Sequence, residues 1–400
     1  MTKRNADGKI RIGYYSADFH NHATTFLMAE LFEAHDASRF ELYGFSFGPN
    51  KKDEMRARVS SAFDKFVDVT TKSDREVAQL SKDFGIDIAV DLKGYTQDSR
   101  TGIFAEGCAP IQVNYLGYPG TMGAEYIDYV IADNTVIPEE SQAYFTEKVV
   151  YLPHSYQVND SKRRISDRVF TKQELGLPEK GFVYCCFNNN YKILPETFDG
   201  WMRILKAVEG SVIWLFEDNS TVPENLYKEA ESRGVDRGRL VFAKPMKPEE
   251  HLARYRLADL FIDTLPYNAH TTASDALWAG LPVLTCMGKS FASRVAASLL
   301  TAIRLPELIS HTQEEYEAMA IELALNAEKF SEIKRKLENN RLATPLFDGK
   351  LFTRQIEAAY AEMYSRHQAE LAPANIYIGS DSFAAAASPA QSLPVMEAVN

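Results

Sequence analysis

Short apolar runs alternate with amphipathic stretches through the first half of this sequence, and this alternation limits the fold more than any other feature. Continuous apolar runs are typical of strands buried on both faces, and helical stretches between them provide the crossovers that parallel strands require. We therefore predict a doubly wound α/β unit. Its strands are expected at residues 9–18, 40–47, 63–69, 86–92, 111–116 and 129–132, with helices at 24–34 and 74–84.

The same pattern starts again after a charged segment at residues 160–168 (DSKRRISDR). Apolar runs and helical stretches again alternate, which predicts a second parallel sheet covered by helices. Its strands are expected at residues 182–187, 211–216, 240–243, 260–263 and 282–286, with helices at 196–208, 312–340 and 351–366.

The domain organisation follows from these two halves. At roughly 150 residues per domain, a chain of 400 residues holds two or three domains. The last 30 residues are rich in Ala, Ser and Pro, a composition that is typical of disorder. We predict an N-terminal Rossmann-like domain at 1–165, a C-terminal Rossmann-like domain at 166–345, a closing helix at 346–370 and a disordered tail at 371–400.

Charge and missing motifs argue against several classes of protein. The net charge of −11 disfavours binding to nucleic acid or to an anionic membrane surface through bulk charge. The four cysteines form no CxxC pair and no DxD motif occurs, so the sequence indicates no metal site. The glycine motifs GxGxxG and GxxxxGK[ST] are also missing, which disfavours nicotinamide-dependent Rossmann enzymes and P-loop NTPases.

Compartment and assembly are less constrained. No apolar run reaches the roughly 18 residues that a membrane-spanning helix needs. Residues 1–9 are polar and carry no apolar signal core. We therefore expect a cytoplasmic protein that does not bind membranes, and nothing in the sequence indicates its oligomeric state.

The densest set of reactive side chains lies at residues 263–278 (DTLPYNAHTTASDALW), after a predicted strand. His270, Thr271 and Thr272 are expected at the start of the following helix, where free backbone N–H groups attract anions. Thr272 and Asp275 also have the spacing of a capping box, so these residues serve either as an anion site or as a helix cap.

A second candidate site is the segment FNNNYK at residues 187–192, which also follows a predicted strand. Its asparagines, Asn189 among them, offer amide donors and acceptors. Lys192 is predicted to start the next helix, where it either neutralises a diphosphate in a cleft or remains an ordinary solvated lysine.

The segment KPEEHLAR at residues 247–254 reads as the first turns of another helix, because Pro248 suits an N-terminal position and two glutamates follow it. His251 is expected early in this helix. The alternative is an exposed first turn without a ligand.

In the first half, the segment DFHNHATT at residues 18–25 follows the first predicted strand. His22 there is suited to act as a hydrogen-bond donor or as a base, because imidazole titrates near neutrality. The alternative is that Asn21 or Thr24 caps the next helix and leaves the histidines exposed.

A glycine- and proline-rich loop, YLGYPGT, spans residues 115–121 after another predicted strand. Gly117 and Pro119 either permit a close approach of the backbone to a ligand or form only a tight turn.

Taken together and in this order, these segments resemble the catalytic region of the O-GlcNAc transferase/SPINDLY family. The similarity covers residues 9–366, and the matching blocks are RIGYYSADFHNH, LGYPGT, FNNNYKI, the EEH of residues 249–251, DTLPYNAHTTASDALWAG and SRVAASLL. The resemblance implies a GT-B glycosyltransferase with two Rossmann-like domains, inversion at the sugar and no metal or other cofactor.

The resemblance also implies roles for single residues. Lys192 matches the lysine that contacts the donor diphosphate, and His270, Thr271 and Thr272 match the phosphate-binding helix start. Asp275 matches the ribose-binding aspartate. The remaining matches are Asn189 at a glutamine near the phosphates, His251 and Arg254 near the uracil, and His22 facing the sugar and the acceptor.

The implied activity is transfer of GlcNAc from UDP-GlcNAc to Ser or Thr hydroxyls of proteins. Protein O-fucosylation from GDP-fucose, as in the SPINDLY branch, is the alternative activity, and a non-catalytic nucleotide-binding scaffold is the alternative class. His22, a donor phosphate oxygen or a water chain remain candidates for the general base. The first strand is expected so near Met1 that no tetratricopeptide repeat of about 34 residues fits before it, so we expect either different acceptor recognition or a catalytic fragment.

Overall fold

A first parallel sheet is formed by strands from the N-terminal half of the chain. The computed structural model describes residues 8–379. The strands of this sheet are mostly buried except at its two edges, as expected where helices cover both faces. The strands are β1 (Ile10–Ser16), β2 (Phe40–Ser46), β3 (Lys65–Asp68), β4 (Ile88–Asp91), β5 (Ile111–Asn114), β6 (Tyr129–Ala132) and β7 (Lys148–Tyr151).

A second parallel sheet has the order β10-β9-β8-β11-β12-β13 and holds the second core. Its central strands β8 and β11 pair directly, so that the loops following them lie side by side. The strands are β8 (Val183–Cys186), β9 (Val212–Phe216), β10 (Leu240–Ala243), β11 (Leu260–Ile262), β12 (Val283–Cys286) and β13 (Ile309–Ser310).

Helices connect these strands and cover the sheets. The sequence-predicted helix at 312–340 is two helices, because Asn326 ends the first and its side chain accepts the N–H of Lys329 at 3.1 Å to cap the second. The helices are α1 (Ala23–Ala34), α2 (Glu54–Ala62), α3 (Asp74–Phe84), α4 (Gly102–Ala105), α5 (Pro195–Ala207), α6 (Val222–Ser232), α7 (Pro248–Arg254), α8 (Thr271–Ala279), α9 (Val295–Ala302), α10 (Gln313–Leu325), α11 (Ala327–Asn340) and α12 (Gly349–Gln368).

The closing helix α12 packs on the first domain. Phe352, Ile356 and Tyr360 lie in the same apolar cluster as the strands of the first sheet. A buried chain of hydrogen bonds adds to this contact. His35 Nδ1 bonds Glu357 Oε1 of α12 at 3.0 Å, and His35 Nε2 lies 2.9 Å from the Tyr14 hydroxyl.

The prediction of a disordered tail from residue 371 is wrong within the described residues. The segment predicted as a disordered tail from residue 371 contains a short strand, β14 (Ile376–Tyr377), which pairs with β7 and gives the first sheet the order β14-β7-β6-β5-β4-β1-β2-β3. The ring of Tyr377 stacks on Tyr151 at 4.9 Å. This strand forms because it pairs with a distant edge strand, and composition does not reveal such pairing. The rest of the predicted tail, residues 380–400, lies outside the described residues.

Strands β7 and β13 and helices α2, α4, α6 and α9 were not predicted from the sequence. Within residues 8–379, no helix combines the length and the apolar character needed to cross a bilayer. The cytoplasmic location stays a prediction.

Candidate active site

A cavity of about 470 Å³ lies between the two domains and is lined by loops that follow strands of both sheets. Loops after β1, β4 and β5 line it from the first domain, and loops after β8 and β11 line it from the second. This is where doubly wound sheets bind ligands. Among the residues singled out from the sequence, the cavity is lined by His22, Gly117, Asn189, Lys192, His270, Thr271, Thr272 and Asp275.

Asp263, at the end of β11, organises the second-domain side of this cavity. Its carboxylate accepts hydrogen bonds from the backbone N–H groups of Thr264 at 2.7 Å and Ala269 at 2.6 Å, and from the Thr285 hydroxyl at 2.7 Å. Burial raises the pKa of Asp263 to about 6, against the opposing effect of these hydrogen bonds. The loop from β11 to α8 is therefore held at both ends by one buried carboxyl group.

Helix α8 starts at this loop with free backbone donors facing the cavity. His270 occupies the N-cap position, and no side chain caps the helix. The Thr272 hydroxyl donates to Asn188 Oδ1, and the carboxylate of Asp275 pairs with Arg163. The capping-box alternative is thus wrong, and the helix start is free to bind an anion.

His270 is half-buried beside this helix start as a neutral imidazole. Its Nε2 lies 3.2 Å from the carbonyl oxygen of Ala292, so Nε2 carries the proton and donates. The ring stacks on Tyr267 with centroids 5.0 Å apart. Burial and, second, the nearby Lys192 lower the pKa of His270 to about 3, so the histidine adds no charge near neutral pH.

Lys192 supplies the cation on the second-domain side. Its Nζ donates to the carbonyl oxygen of Asn268 at 2.9 Å and lies 4.1 Å above the ring of Tyr267. Burial lowers the pKa of Lys192 to about 8, and Asp263 opposes this shift. Lys192 does not start the next helix as predicted. It ends a single 3-10 turn, Asn190–Lys192, and α5 begins at Pro195.

Of the three consecutive asparagines, two have distinct places at the cavity. Asn189 is exposed and lines the cavity, as expected for a ligand contact. Asn188 is 1% exposed and donates to the Thr264 hydroxyl at 2.8 Å and to Asp263 Oδ1 at 3.2 Å. The sequence did not single out Asn188, because identical neighbours give no signal for which amide is buried.

A smaller pocket of about 220 Å³ adjoins the cavity, and the two share Phe26 and Asp275. Burial and, second, the charge of Arg254 lower the pKa of His251 to about 3, so this imidazole is neutral. Arg254 Nη2 donates to His251 Nδ1, and Arg254 itself is fully buried. Arg254 therefore positions His251 and does not line the pocket. The lining residues are Phe26, Arg163, Phe216, Pro245, Met246, Pro248, His251 and Asp275.

Arg163 is a site residue that the sequence analysis missed. It belongs to the charged segment at 160–168, which suggested only a domain boundary. Its guanidinium pairs with Asp275, both side chains being about one-tenth exposed, and its carbonyl oxygen accepts the indole N–H of Trp278 at 3.1 Å. The segment between the domains is thus anchored on α8 beside the smaller pocket.

On the first-domain side, His22 caps helix α1 with its own side chain. Its Nδ1 accepts the N–H of Thr24 at 3.2 Å, so the alternative that Asn21 or Thr24 caps this helix is wrong. Burial lowers the pKa of His22, against the effect of Asp18. Because Nδ1 accepts, the neutral ring carries its proton on Nε2 and presents a donor.

The glycine- and proline-rich loop contributes one cavity residue. A Cβ atom on Gly117 would lie 1.9 Å from the carbonyl oxygen of Leu92, so only glycine allows this approach of two backbones. Pro119 does not line the cavity, and Gly120 N–H closes a turn on the carbonyl of Tyr118 at 3.1 Å. Over residues 8–379, no group of three or more His, Cys, Asp or Glu side chains is placed to hold a metal ion.

Two Rossmann-like parallel-sheet domains that face a shared cleft define the GT-B architecture. The fold is similar to that of two solved structures over most of this chain: Anabaena Alr3699/HepE in complex with UDP and glucose (TM-score 0.58, 13% identity, 88% of this chain and all of that one) and a sucrose-phosphate synthase from Thermosynechococcus elongatus (TM-score 0.57, 13% identity, 89% and all). At these identities the similarity concerns the fold alone.

The chain belongs to glycosyl transferase family 41, whose family model matches residues 1–168 and 166–356. It is 38% identical over 365 residues to the probable UDP-N-acetylglucosamine–peptide N-acetylglucosaminyltransferase SEC of Arabidopsis thaliana, covering 90% of this chain and 37% of the relative. It is 30% identical to the relative named SPINDLY in Oryza sativa, covering 92% and 40%. The chain therefore spans about two fifths of the length of these relatives.

Among solved structures, a mutant of the Thermobaculum terrenum O-GlcNAc transferase is similar with a TM-score of 0.83 and 31% identity, covering 90% of this chain and 69% of that one. This similarity extends across both domains and the cleft between them.

Proposed function

We propose that this protein transfers GlcNAc from UDP-GlcNAc to Ser or Thr hydroxyls of proteins, with inversion and without a metal. The observation that carries the proposal is the uncapped start of α8 facing Lys192 in one cavity, beside a second pocket that shares Asp275. We assign the diphosphate, the ribose and the base of the donor to these features in that order.

The diphosphate is assigned to the start of α8 and to Lys192. Backbone N–H groups and the helix dipole offer partial positive charge at Thr271 and Thr272, and Lys192 adds a full charge. Negative charge grows on the leaving UDP in the transition state, so these donors stabilise the transition state more than the ground state. The same groups replace the divalent cation that other sugar-nucleotide enzymes use.

The nucleoside is assigned to the smaller pocket. Asp275 is suited to accept the ribose hydroxyls, because a carboxylate has lone pairs beyond the one that Arg163 engages. The neutral His251, packed 5.3 Å from Phe187 and held by Arg254, forms the wall for the uracil.

The sugar and the acceptor are assigned to the first-domain side of the cavity, where His22 donates through Nε2. In a single in-line displacement, the acceptor hydroxyl attacks the anomeric carbon from the face opposite to UDP, which inverts the anomeric centre. The names of the Arabidopsis and Thermobaculum relatives support GlcNAc as the sugar and a peptide as the acceptor.

The two alternative functions are a protein O-fucosyltransferase that uses GDP-fucose and a non-catalytic nucleotide-binding scaffold. The decisive experiment measures UDP release from UDP-GlcNAc and GDP release from GDP-fucose by the purified protein, with and without EDTA. We expect UDP release alone, unchanged by EDTA. GDP release would support the fucosyltransferase, and UDP binding without release would support the scaffold.

The acceptor is tested separately. After incubation with UDP-GlcNAc, mass spectrometry of acceptor proteins should detect N-acetylhexosamine on Ser or Thr, and NMR of the product should show a β-linkage. Modification of other residues, or an α-linkage, would contradict the proposal.

A further inference from the structure

We propose that Asp18 is the general base that accepts the proton of the acceptor hydroxyl, and that Lys93 is its positioning residue. This inference rests on the proposed function, because a displacement by a Ser or Thr hydroxyl needs a proton acceptor. It concerns a buried ion pair in the cavity wall that the donor subsites leave unused.

Asp18 follows β1 and lines the cavity on the side of the first domain, with 7% of its surface exposed. Its Oδ2 accepts Lys93 Nζ at 2.8 Å and lies 3.4 Å from His22 Nδ1. Among residues 8–379 no hydrogen bond reaches Oδ1. One carboxylate oxygen is thus anchored, and the other is free to accept a proton.

The backbone of Asp18 is held in place from three sides. Its N–H donates to the Ser16 hydroxyl at 2.9 Å, and its carbonyl oxygen accepts both the N–H of His20 at 2.7 Å and the hydroxyl of Thr25. A base must be fixed within hydrogen-bonding reach of the proton that it takes. These contacts supply that fixed position before any substrate binds.

The backbone of Lys93 is also fixed by hydrogen bonds. Asp91, at the end of β4, accepts the N–H groups of Lys93 at 2.8 Å and Gly94 at 3.0 Å. The carbonyl oxygen of Lys93 accepts the Thr96 hydroxyl at 2.7 Å. The side chain is 6% exposed, so the ammonium group is directed at Asp18 and not at bulk solvent. Breaking such a buried pair leaves an uncompensated charge, which restricts Asp18 to one orientation.

The other groups around the cavity are committed elsewhere. His22 uses the lone pair of Nδ1 to cap α1, and its Nε2 carries a proton, so it donates. Asp275 pairs with Arg163 at the nucleoside end. His270 lies beside Lys192 at the diphosphate end. Of the two carboxylates that line the cavity, only Asp18 belongs to the domain assigned to the acceptor.

The chemical step balances without a further reactant. The acceptor Oγ forms a bond to the anomeric carbon while the bond from that carbon to the diphosphate oxygen breaks, and its electron pair leaves with UDP. The proton of the hydroxyl passes to Asp18 Oδ1 and is later released to solvent. A carboxylate is basic enough, because the attacking oxygen becomes strongly acidic as its new bond forms in an oxocarbenium-like displacement.

The test replaces Asp18 with Asn, whose amide oxygen still accepts from Lys93. We expect kcat for transfer to fall by about 10²- to 10⁴-fold, with KM for UDP-GlcNAc and Kd for UDP within threefold of the wild-type values. Asp18→Ala should be equally slow, and added formate should restore part of its kcat by occupying the vacated space as a base. Asp98→Asn is the matched control, since Asp98 is exposed on the neighbouring loop and its φ of 61° suits Asn.

Each outcome either supports or contradicts the assignment of Asp18 as the general base. Asp18→Asn turnover within threefold of wild type would overturn the assignment, and so would a parallel loss of UDP affinity, because the carboxylate would then act on the structure. Slow variants that formate does not rescue would point to a role in holding Lys93 and would overturn it as well. Failure of the proposed function looks different, since the wild-type protein would then release no UDP at all.

Discussion

The two sides of the cleft hold their lysines in different ways: Lys192 donates to a backbone carbonyl, and Lys93 pairs with a carboxylate. On the second-domain side, burial lowers the pKa of Lys192, His251 and His270 and raises that of Asp263, so that every one of these groups is shifted toward its neutral form. On the first-domain side, Asp18 and Lys93 form a buried ion pair. A side that receives an anion benefits from a weakly solvated cation whose charge is not neutralised by a paired carboxylate, whereas a side that moves a proton needs a fixed partner for its base.

The largest effect is expected for Lys192→Ala, which removes the cation on the second-domain side. We expect turnover to fall by about 10²- to 10³-fold, because one preorganised charge at the leaving group is lost. Initial rates of UDP release measure the effect, and circular dichroism checks the fold. Lys228→Ala, on the exposed face of α6, is the control. Near-normal turnover of Lys192→Ala would contradict the assignment of the diphosphate site.

Asp275→Asn tests the nucleoside end of the second domain. We expect UDP to bind about 10- to 100-fold more weakly, since a hydrogen bond to a charged acceptor contributes about 1.5–3 kcal/mol. Calorimetry measures Kd, and a UDP analogue without ribose hydroxyls should bind the wild-type and variant proteins alike. An equal loss for UDP and for the analogue would place Asp275 away from the ribose.

The pH dependence of UDP binding tests the depressed pKa of Lys192. The free protein carries the cation below pH 8 and loses it as the pH rises through about 8, because burial has lowered the pKa to that value. UDP affinity should therefore fall by up to about tenfold per pH unit above 8. Calorimetry in buffers of different ionisation enthalpy should detect proton uptake on binding near pH 8.5. Lys192→Met should remove both effects. A pH-independent Kd of the wild-type protein would contradict the lowered pKa of Lys192.

Glu357→Gln is expected to have the smallest effect on the cleft. It weakens the hydrogen bonds from His35 and from the N–H of Asp36, which Glu357 Oε1 accepts at 3.0 and 2.7 Å. We expect the free energy of unfolding to fall by about 1–3 kcal/mol, measured by urea denaturation, with unchanged kcat at 25 °C. A change in kcat without a loss of stability would show that α12 acts on the cleft directly.

Much of the fold could be predicted because both sheets are parallel and buried, so that strands such as β4 and β8 appear as continuous apolar runs. The positions of His270 and Lys192 could be predicted for a related reason: each follows such a run, and the carboxyl ends of parallel strands meet at one edge.

The rest depends on pairs of residues that are distant in sequence. Arg163 meets Asp275 only after the second domain folds, and β14 exists only because β7 offers it an edge. The choice between Asn188 and Asn189 depends on which amide faces Asp263. His22 caps α1 although histidine is not a preferred capping residue, so residue preferences pointed to its neighbours.

The return of α12 to the first domain has a mechanical consequence. The described chain passes between the two domains twice, once near residue 160 and again near residue 345, before α12 and β14 complete the first domain. Two covalent connections permit rotation of one domain about the line that joins them, but they restrict rotation about either connection alone. Rotation about that line is therefore the least restricted relative motion of the two domains, and it would change the separation of Asp18 and Lys192 along a single path.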